Sequence, residues 1–348
     1  MPMRTNVSRH TLCGSCKGFS LVELMVSILL GSLLSMGMAN IYLESKRNFE
    51  AESEAAQIQE SGRFSLNLLK RELMMAGFYA GMPSVAGLAA SPVAVDCAGT
   101  TWALDTSVPI DLINEYSLSM VTVNGTELTC LSASEVKPGT DIFSVKRTAG
   151  DPTLENGVYH PGVKGAEQTQ WYLRIQNYQD LPSWLYVDAG GFDSGDIGVG
   201  SKINYWEMYA RVFYIRNYSN AMSDGVPALC VERLNGSAMA TRCLVEAVED
   251  MQIEFGIDTD SDGVPNQFKQ APTASEMGNA VVARIFLLIR SVNELTGYTN
   301  TMAYRLGQKK VKARGDGFLR RVFSATVQMR NATLPVHQRR EGVANETS

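Results

Sequence analysis

One carboxylate inside a long apolar stretch most constrains what this chain can fold into. The stretch from Phe19 to Ile41 has 23 residues, and Glu23 is its only charged side chain. As a helix it would be ~35 Å long, enough to cross the hydrocarbon core of a membrane. A carboxylate there costs on the order of 2.5–3.5 kcal/mol at the centre and less near the interface. We therefore expect a positive partner for Glu23, and cleavage after Gly18 would create one: the α-amine of Phe19, of the same or a neighbouring subunit.

The residues around this carboxylate, GFSLVELMVS at positions 18–27, resemble the cleavage site of type IV prepilins. The resemblance implies that prepilin peptidase cuts after Gly18 and N-methylates Phe19, which leaves Glu23 as the fifth-position glutamate used in assembly. The alternatives are an ordinary membrane anchor with a stray glutamate and a conventional signal peptide. The second is disfavoured because no small-x-small cleavage site ends the apolar stretch.

Charge predicts the orientation of this segment in a membrane. Arg4, Arg9 and Lys17 precede the span, and residues 1–18 contain no acid. Cations before a span hold that end in the cytoplasm, so we expect a single pass through the bacterial inner membrane with the rest of the chain in the periplasm. Loss of the leader leaves 28 basic against 36 acidic residues. Such a chain has no bias toward nucleic acid.

Cysteine usage fits an oxidising compartment. Cys13 and Cys16 form a CxxC pair, but both lie in the leader, and no second pair nearby completes a zinc site. The mature chain keeps an even number of cysteines: Cys97, Cys130, Cys230 and Cys243. Three disulfide pairings are possible, and the short intervals favour Cys97 with Cys130 and Cys230 with Cys243 as local loops around turns. The alternative is free buried thiols.

The chain divides by composition into a leader (1–18), an apolar helix (19–41), an amphipathic continuation of that helix (42–77), a β-rich head (78–330) and a polar tail (331–348). Gly77 can end the helix. The predicted fold class is α+β and pilin-like, a long N-terminal helix packed on a β-rich head. The continuation carries small and apolar residues at spacings of three and four: Ala55, Ile58, Gly62, Leu66, Leu69, Leu73 and Ala76.

Short alternating segments predict the strands of the head. Asn124-Gly125 between residues 119–123 and 126–131 predicts a β-hairpin. The segment 281–289 is almost continuously apolar, which predicts a central strand. Further strand candidates are 142–146, 171–175, 209–214, 251–256 and 321–329.

A second resemblance covers the head. The segments 244–249, 258–265 and 319–323, with the strand at 281, are similar to PilW-type minor pilins of type IV pili. This implies a subunit that joins other minor pilins in a tip complex and primes assembly of the pilus. The implied partners are those minor pilins, the major pilin, prepilin peptidase and the inner-membrane assembly machinery. The large minor pseudopilin of type II secretion is the related alternative.

An acidic loop in the head resembles half of a calcium-binding EF-hand. Asp258, Asp260 and Asp262 offer oxygen ligands at positions one, three and five, and the Val264 carbonyl offers one at position seven. Position twelve is Lys269, where a bidentate glutamate belongs. The loop is therefore either a Ca²⁺ site completed from elsewhere in the fold or a solvated Asp-Gly turn.

Enzyme chemistry finds little support, and we expect no catalytic function. His160 and His337 are the only histidines outside the leader, and no GxSxG motif is present. The segment 195–202 comes near a phosphate-binding loop but reverses its last Lys and Ser. Two other classes remain as alternatives: a calcium-dependent tip adhesin and a membrane-anchored periplasmic enzyme.

Overall fold

The computed structural model describes residues 18–82, 85, 87–161, 169–176 and 182–331. The chain forms two compact units, Met1–Glu52 and Ser53–Ser348. Most of the predicted leader, including Cys13 and Cys16, lies outside the described residues. So do His337 and all but the first residue of the predicted tail.

The elements alternate little between helix and strand, as expected of an α+β fold. Helix α1 is the 55-residue segment Leu21–Met75, and helix α2 is the single turn Ala274–Met277. A 3₁₀ turn spans Trp102–Leu104. The strands are β1 Ile110–Ile113, β2 Ile142–Thr148, β3 Leu154–Glu155, β4 Val158–Tyr159, β5 Gln170–Gln176, β6 Ser183–Val187, β7 Ile203–Arg216, β8 Ala228–Asn235, β9 Ala238–Glu246, β10 Val248–Ile257, β11 Gln267–Lys269, β12 Ala280–Arg290, β13 Tyr304–Leu306, β14 Lys309–Val311 and β15 Arg320–Gln328.

The second half of α1 packs its apolar stripe on the head. Ile58, Leu69 and Leu73 are at most 2% exposed, as the three- and four-residue spacing predicts. Gly62 lies so close to Phe323 of β15 that a Cβ there would come within 2.5 Å of its ring. The helix ends at Met75, and Gly77 follows with a φ of 75°, a conformation that glycine adopts without strain.

Two large sheets form most of the head, and β13 and β14 form a third, two-stranded sheet. Strand β12 lies between β10 and β15 in a four-stranded antiparallel sheet, which confirms the predicted central strand at 281–289. In the nine-stranded sheet the long β7 pairs with β2, β3, β5 and β8. The main core lies where the helix meets both sheets, and its buried members include Leu69, Phe213, Ile253 and Ile285.

Both disulfides lie in the nine-stranded half of the head. Cys97 is bonded to Cys130, and Cys230 to Cys243, the pairs that the short intervals favour. Cys230 and Cys243 stand opposite each other on the adjacent strands β8 and β9. The second disulfide therefore cross-links a hairpin, where the sequence suggested a loop.

The predicted strands of the 119–131 hairpin are wrong, although the chain does reverse at Asn124-Gly125. Neither arm forms a regular strand: the arms are joined by an isolated bridge, Val121 to Glu127, and by amide-to-carbonyl hydrogen bonds from Thr122 to Thr126 at 2.8 Å and from Leu128 to Met120 at 2.9 Å. Asp111 of β1 explains the difference, because its carboxylate accepts hydrogen bonds from the Thr122 hydroxyl at 2.6 Å and the Asn124 side chain at 2.9 Å. The turn is therefore held against β1 by these side chains and by the Val123 amide, which donates to the Leu112 carbonyl at 2.8 Å, and it does not extend as a ladder.

Candidate functional site: the helix start and the acidic loop

The start of α1 carries the predicted processing residues. The Ser20 amide donates to the Glu23 carboxylate at 2.9 Å, and the Leu24 amide donates to the Ser20 carbonyl at 3.1 Å. Glu23 is thus the third helical residue and accepts from the N-cap position, which is one half of a capping box. A negative charge is also favourable at this end of a helix dipole. The Ser20-x-x-Glu23 spacing could have predicted this contact, which the sequence analysis missed.

The apolar residues that follow Glu23 are exposed in the first unit. This is the one helix among the described residues that is long and apolar enough to cross a membrane, with a mean hydropathy of 1.9 over its most apolar window. Met25 is 63% exposed and Met38 is 71% exposed. A Cβ added at Gly31 or Gly37 would meet nothing within 4 Å. The surface is therefore available to lipid or to helices of other subunits.

The acidic loop brings its three carboxylates together. One oxygen each of Asp258, Asp260 and Asp262 lie within 4.8 Å of one another. Asp258 is buried, and its two oxygens accept from the amides of Ser261 at 2.5 Å and Gly263 at 2.9 Å. Burial raises the pKa of Asp258, but the hydrogen bonds from these amides lower it by more, so the pKa lies below its usual range.

The rest of the loop differs from an EF-hand. Lys269, at position twelve, forms an ion pair with Glu276 of α2 at 2.5 Å. The position that supplies a bidentate glutamate in an EF-hand is therefore occupied here by a paired cation. Asn266 donates to the Asp260 carboxylate at 3.2 Å and accepts from the Thr259 amide at 2.7 Å. These hydrogen bonds stabilise the loop from within. They are common in turns rich in Asp and Asn, so they do not by themselves indicate a metal site.

A buried ion cluster fixes the second half of α1 to the nine-stranded sheet. Glu72 is 1% exposed and accepts from Arg147 Nε at 3.0 Å and Nη2 at 2.8 Å, and also from Arg211. Tyr209 lies beneath both guanidinium groups, 4.7 Å from that of Arg147 and 4.4 Å from that of Arg211. No signal in the sequence marked Glu72, because it lies beside the apolar stripe and its partners are far along the chain.

A second buried ion pair joins two of the segments that carry the resemblance to PilW-type pilins. Arg320 donates to Glu249 at 2.5 Å, and both side chains are 2% exposed. Arg320 also contacts Asp316, while Arg314 contacts Glu249. The segments 244–249 and 319–323 are thus parts of one buried arrangement.

Three tryptophans and His160 make structural contacts in the head. Trp184 and Trp206 are buried in the core, and Trp171 is partly buried against the same cluster. His160 lies just after β4, and its amide donates to the Thr153 carbonyl at 3.1 Å.

Two family models match separate parts of the chain. Residues 212–331 match the family model of the Type IV Pilus-assembly protein W, and residues 13–39 match that of the prokaryotic N-terminal methylation motif. No curated protein matches the chain. A solved structure, a type IV-like pilin from Thermus thermophilus, is similar at 11% identity with a TM-score of 0.35, over 80% of this chain and 98% of that one. A likeness of that size carries no argument about the fold.

The family matches confirm the resemblance to PilW-type pilins and support a minor pilin role in type IV pili. Together with the apolar helix they indicate membrane anchoring followed by pilus assembly. They favour a type IV pilus over the type II secretion pseudopilus. The matched family is one of assembly proteins, in keeping with a structural role.

Proposed function

We propose that this PilW-type pilin is a minor subunit that enters the type IV pilus through α1 and acts in a tip complex that primes assembly. Its partners would be the other minor pilins, the major pilin, prepilin peptidase and the assembly machinery of the inner membrane. Before assembly it would span that membrane once, with the head in the periplasm.

One observation carries this proposal: the exposed apolar stretch 19–41 overlaps a methylation motif, and its only acid, Glu23, is at the fifth position after the predicted cut. Glu23 already accepts the Ser20 amide. Cleavage after Gly18 would add a cationic amine one residue before Ser20. A neighbouring subunit's amine could then pair with Glu23 and offset the cost of a carboxylate in an apolar environment.

The size of the head supports a position at the tip of the pilus. Identical head-to-tail contacts between subunits generate a fibre that does not close. A head of about 250 residues (78–330), built on two large sheets, is large for a subunit repeated throughout such a fibre and would obstruct addition above it. An initiating or capping position avoids that obstruction.

The first test is the mass of the N-terminal peptide of the protein taken from membranes or sheared fibres of its own host. A peptide that begins with N-methylated Phe19 supports pilin processing. A peptide that begins near Met1 or after a conventional signal site would overturn the proposal and favour a membrane-anchored enzyme.

A matched pair of variants tests the role of the fifth-position acid. Glu23→Ala should remove the subunit from the sheared pilus fraction while leaving it in the membrane. Glu44→Ala removes an acid that follows the apolar stretch and should leave incorporation unchanged. Equal incorporation of the two variants would contradict assembly through this helix.

Calcium binding is a second candidate function, favoured by the three carboxylates within 4.8 Å of one another. A bound ion would brace the head and would support a calcium-dependent adhesin role at the tip. Titration of the metal-free protein with Ca²⁺ should raise its thermal unfolding temperature, and Asp260→Asn/Asp262→Asn should abolish that rise. An unchanged unfolding temperature at millimolar Ca²⁺ would leave the solvated turn as the correct interpretation.

A further inference from the structure

A polar cleft of about 560 Å³ opens on the nine-stranded sheet, and its lining includes no residue of the acidic loop. It lies along the β7, β8 and β9 strands and is closed at one end by the start of β5. Leu234 is its only apolar side chain. The other residues lining it are Thr169, Gln170, Glu207, Tyr209, Arg211, Arg233, Asn235, Gly236 and Arg242.

Strand register places three arginines on one face of this sheet. Arg211 of β7 stands directly opposite Arg233 of β8. Arg233 in turn stands opposite Ala240 of β9, and Arg242 is two residues further along that strand. Residues opposite each other, and residues two apart on one strand, share a face. The three guanidinium groups therefore converge on the same cleft.

Charge is unbalanced there. Arg211 is paired with Glu72, and Glu207 accepts hydrogen bonds from Gln170 at 3.2 Å and Tyr209 at 2.9 Å. Arg233 and Arg242 have no acidic partner within the described part of the chain. Like charges on neighbouring strands repel, and Glu72 offsets this only for Arg211, so Arg233 and Arg242 leave positive charge in the cleft that a bound anion could pair with.

The lining also limits the chemistry of that anion. Arginine forks match the two oxygens of a carboxylate or phosphate. Glu207, whose carboxylate is oriented by Gln170 and Tyr209, would repel a bare anion but can accept hydrogen bonds from hydroxyl groups. Asn235 adds an amide that can both donate and accept. Because the cleft has almost no apolar lining, it suits a hydrophilic ligand.

We propose that this cleft binds an acidic sugar, with its carboxylate or phosphate on Arg233 and Arg242 and its hydroxyl groups on Glu207 and Asn235. The site is independent of incorporation into a pilus. It would give a pilus subunit a ligand-binding function that its assembly role does not require.

The test is titration calorimetry on the full mature chain, in a polyoxyethylene detergent that carries no sugar. The probes are glucuronate, glucose 6-phosphate, glucose and inorganic phosphate at constant ionic strength. We expect the two acidic sugars to bind at least tenfold more tightly than glucose or phosphate. Equal affinity for glucose, equal affinity for phosphate, or no binding of either acidic sugar would each overturn the proposal.

Two double variants locate the site. Arg233→Gln/Arg242→Gln should weaken binding of glucuronate at least tenfold. Lys310→Gln/Arg321→Gln removes the same charge from exposed positions elsewhere and should change binding by less than twofold. If the glutamine pair does not fold, Arg233→Lys/Arg242→Lys keeps the charge, loses the forks and should still weaken binding. Wild-type affinity in a folded cleft variant would refute the assignment.

Discussion

Replacing Glu72 by glutamine should strongly destabilise the head. The side chain is 1% exposed, and it accepts at least three N–H contacts from Arg147 and Arg211. Glutamine keeps the shape but removes the charge and turns an NH₂ group toward one guanidinium. The substitution therefore creates no cavity, and its effect reports the loss of the charge.

The size of the loss in unfolding free energy depends on how deeply the two arginines that lose their partner are buried. The side chain of Arg147 is 4% exposed, whereas that of Arg211 is 21% exposed and reaches the cleft. Breaking a buried pair by removing one partner costs about 3–5 kcal/mol. Because Arg211 can recover some hydration, we expect the lower end, about 3 kcal/mol. At roughly 2–4 °C per kcal/mol, that is a fall of about 6–12 °C in Tm.

Thermal and urea unfolding of the mature chain in detergent would measure this loss. Glu60→Gln is the matched control, since Glu60 is an exposed glutamate on the same helix, and we expect a change within about 0.5 kcal/mol. Glu72→Met/Arg147→Met should recover part of the stability, because apolar replacements of a buried pair are often neutral. A loss below about 1 kcal/mol for Glu72→Gln would refute the reasoning.

Three further predictions concern the stability of the head. Gly62→Ala places a Cβ 2.5 Å from the Phe323 ring and should cost about 1–3 kcal/mol in urea unfolding, whereas Gly31→Ala should cost the head nothing. Burial raises the pKa of Asp141 to about 8, above its unfolded value, so its contribution to stability is greatest at low pH and falls as pH rises from about 4 to 8. Asp141→Asn should flatten that part of the profile of unfolding free energy against pH. Reducing the Cys230–Cys243 bond, which spans 13 residues, should cost roughly 3 kcal/mol in the same assay.

Periodicity predicted the elements whose burial follows from apolar spacing alone. Leu69 and Leu73 of the helical stripe are buried, and so are most residues of the apolar run in β12. In both cases the apolar pattern of the sequence indicates which positions are buried. The same rule missed Glu72, because a carboxylate in a buried helical position has no apolar signature. Its partner Arg147 is 75 positions away, and only the tertiary fold brings them together.

Turn signals proved reliable for chain reversal and unreliable for strand length. Asn124-Gly125 does reverse the chain, but Asp111 holds the turn by side-chain contacts. The analogous Asn235-Gly236 pair, which the sequence analysis passed over, closes the hairpin of β8 and β9 with Gly236 at a φ of 64°. The difference is that β8 also pairs with β7 along its length, whereas the arms of the first hairpin make only single backbone hydrogen bonds to their neighbours, from Val123 to Leu112 and from Thr129 to Cys97.

Glu72 also determines how much charge the arginine cleft holds. The Arg211–Arg233 pair would be unfavourable on its own, and Glu72 of α1 neutralises Arg211. Removing that acid while keeping the fold would add a positive charge at the cleft. Glu72→Gln, assayed at a temperature where it remains folded, should therefore bind glucuronate more tightly than the wild type while unfolding more easily. A variant that lost both stability and binding would show instead that Arg211 must be held by Glu72 to present its guanidinium to the ligand.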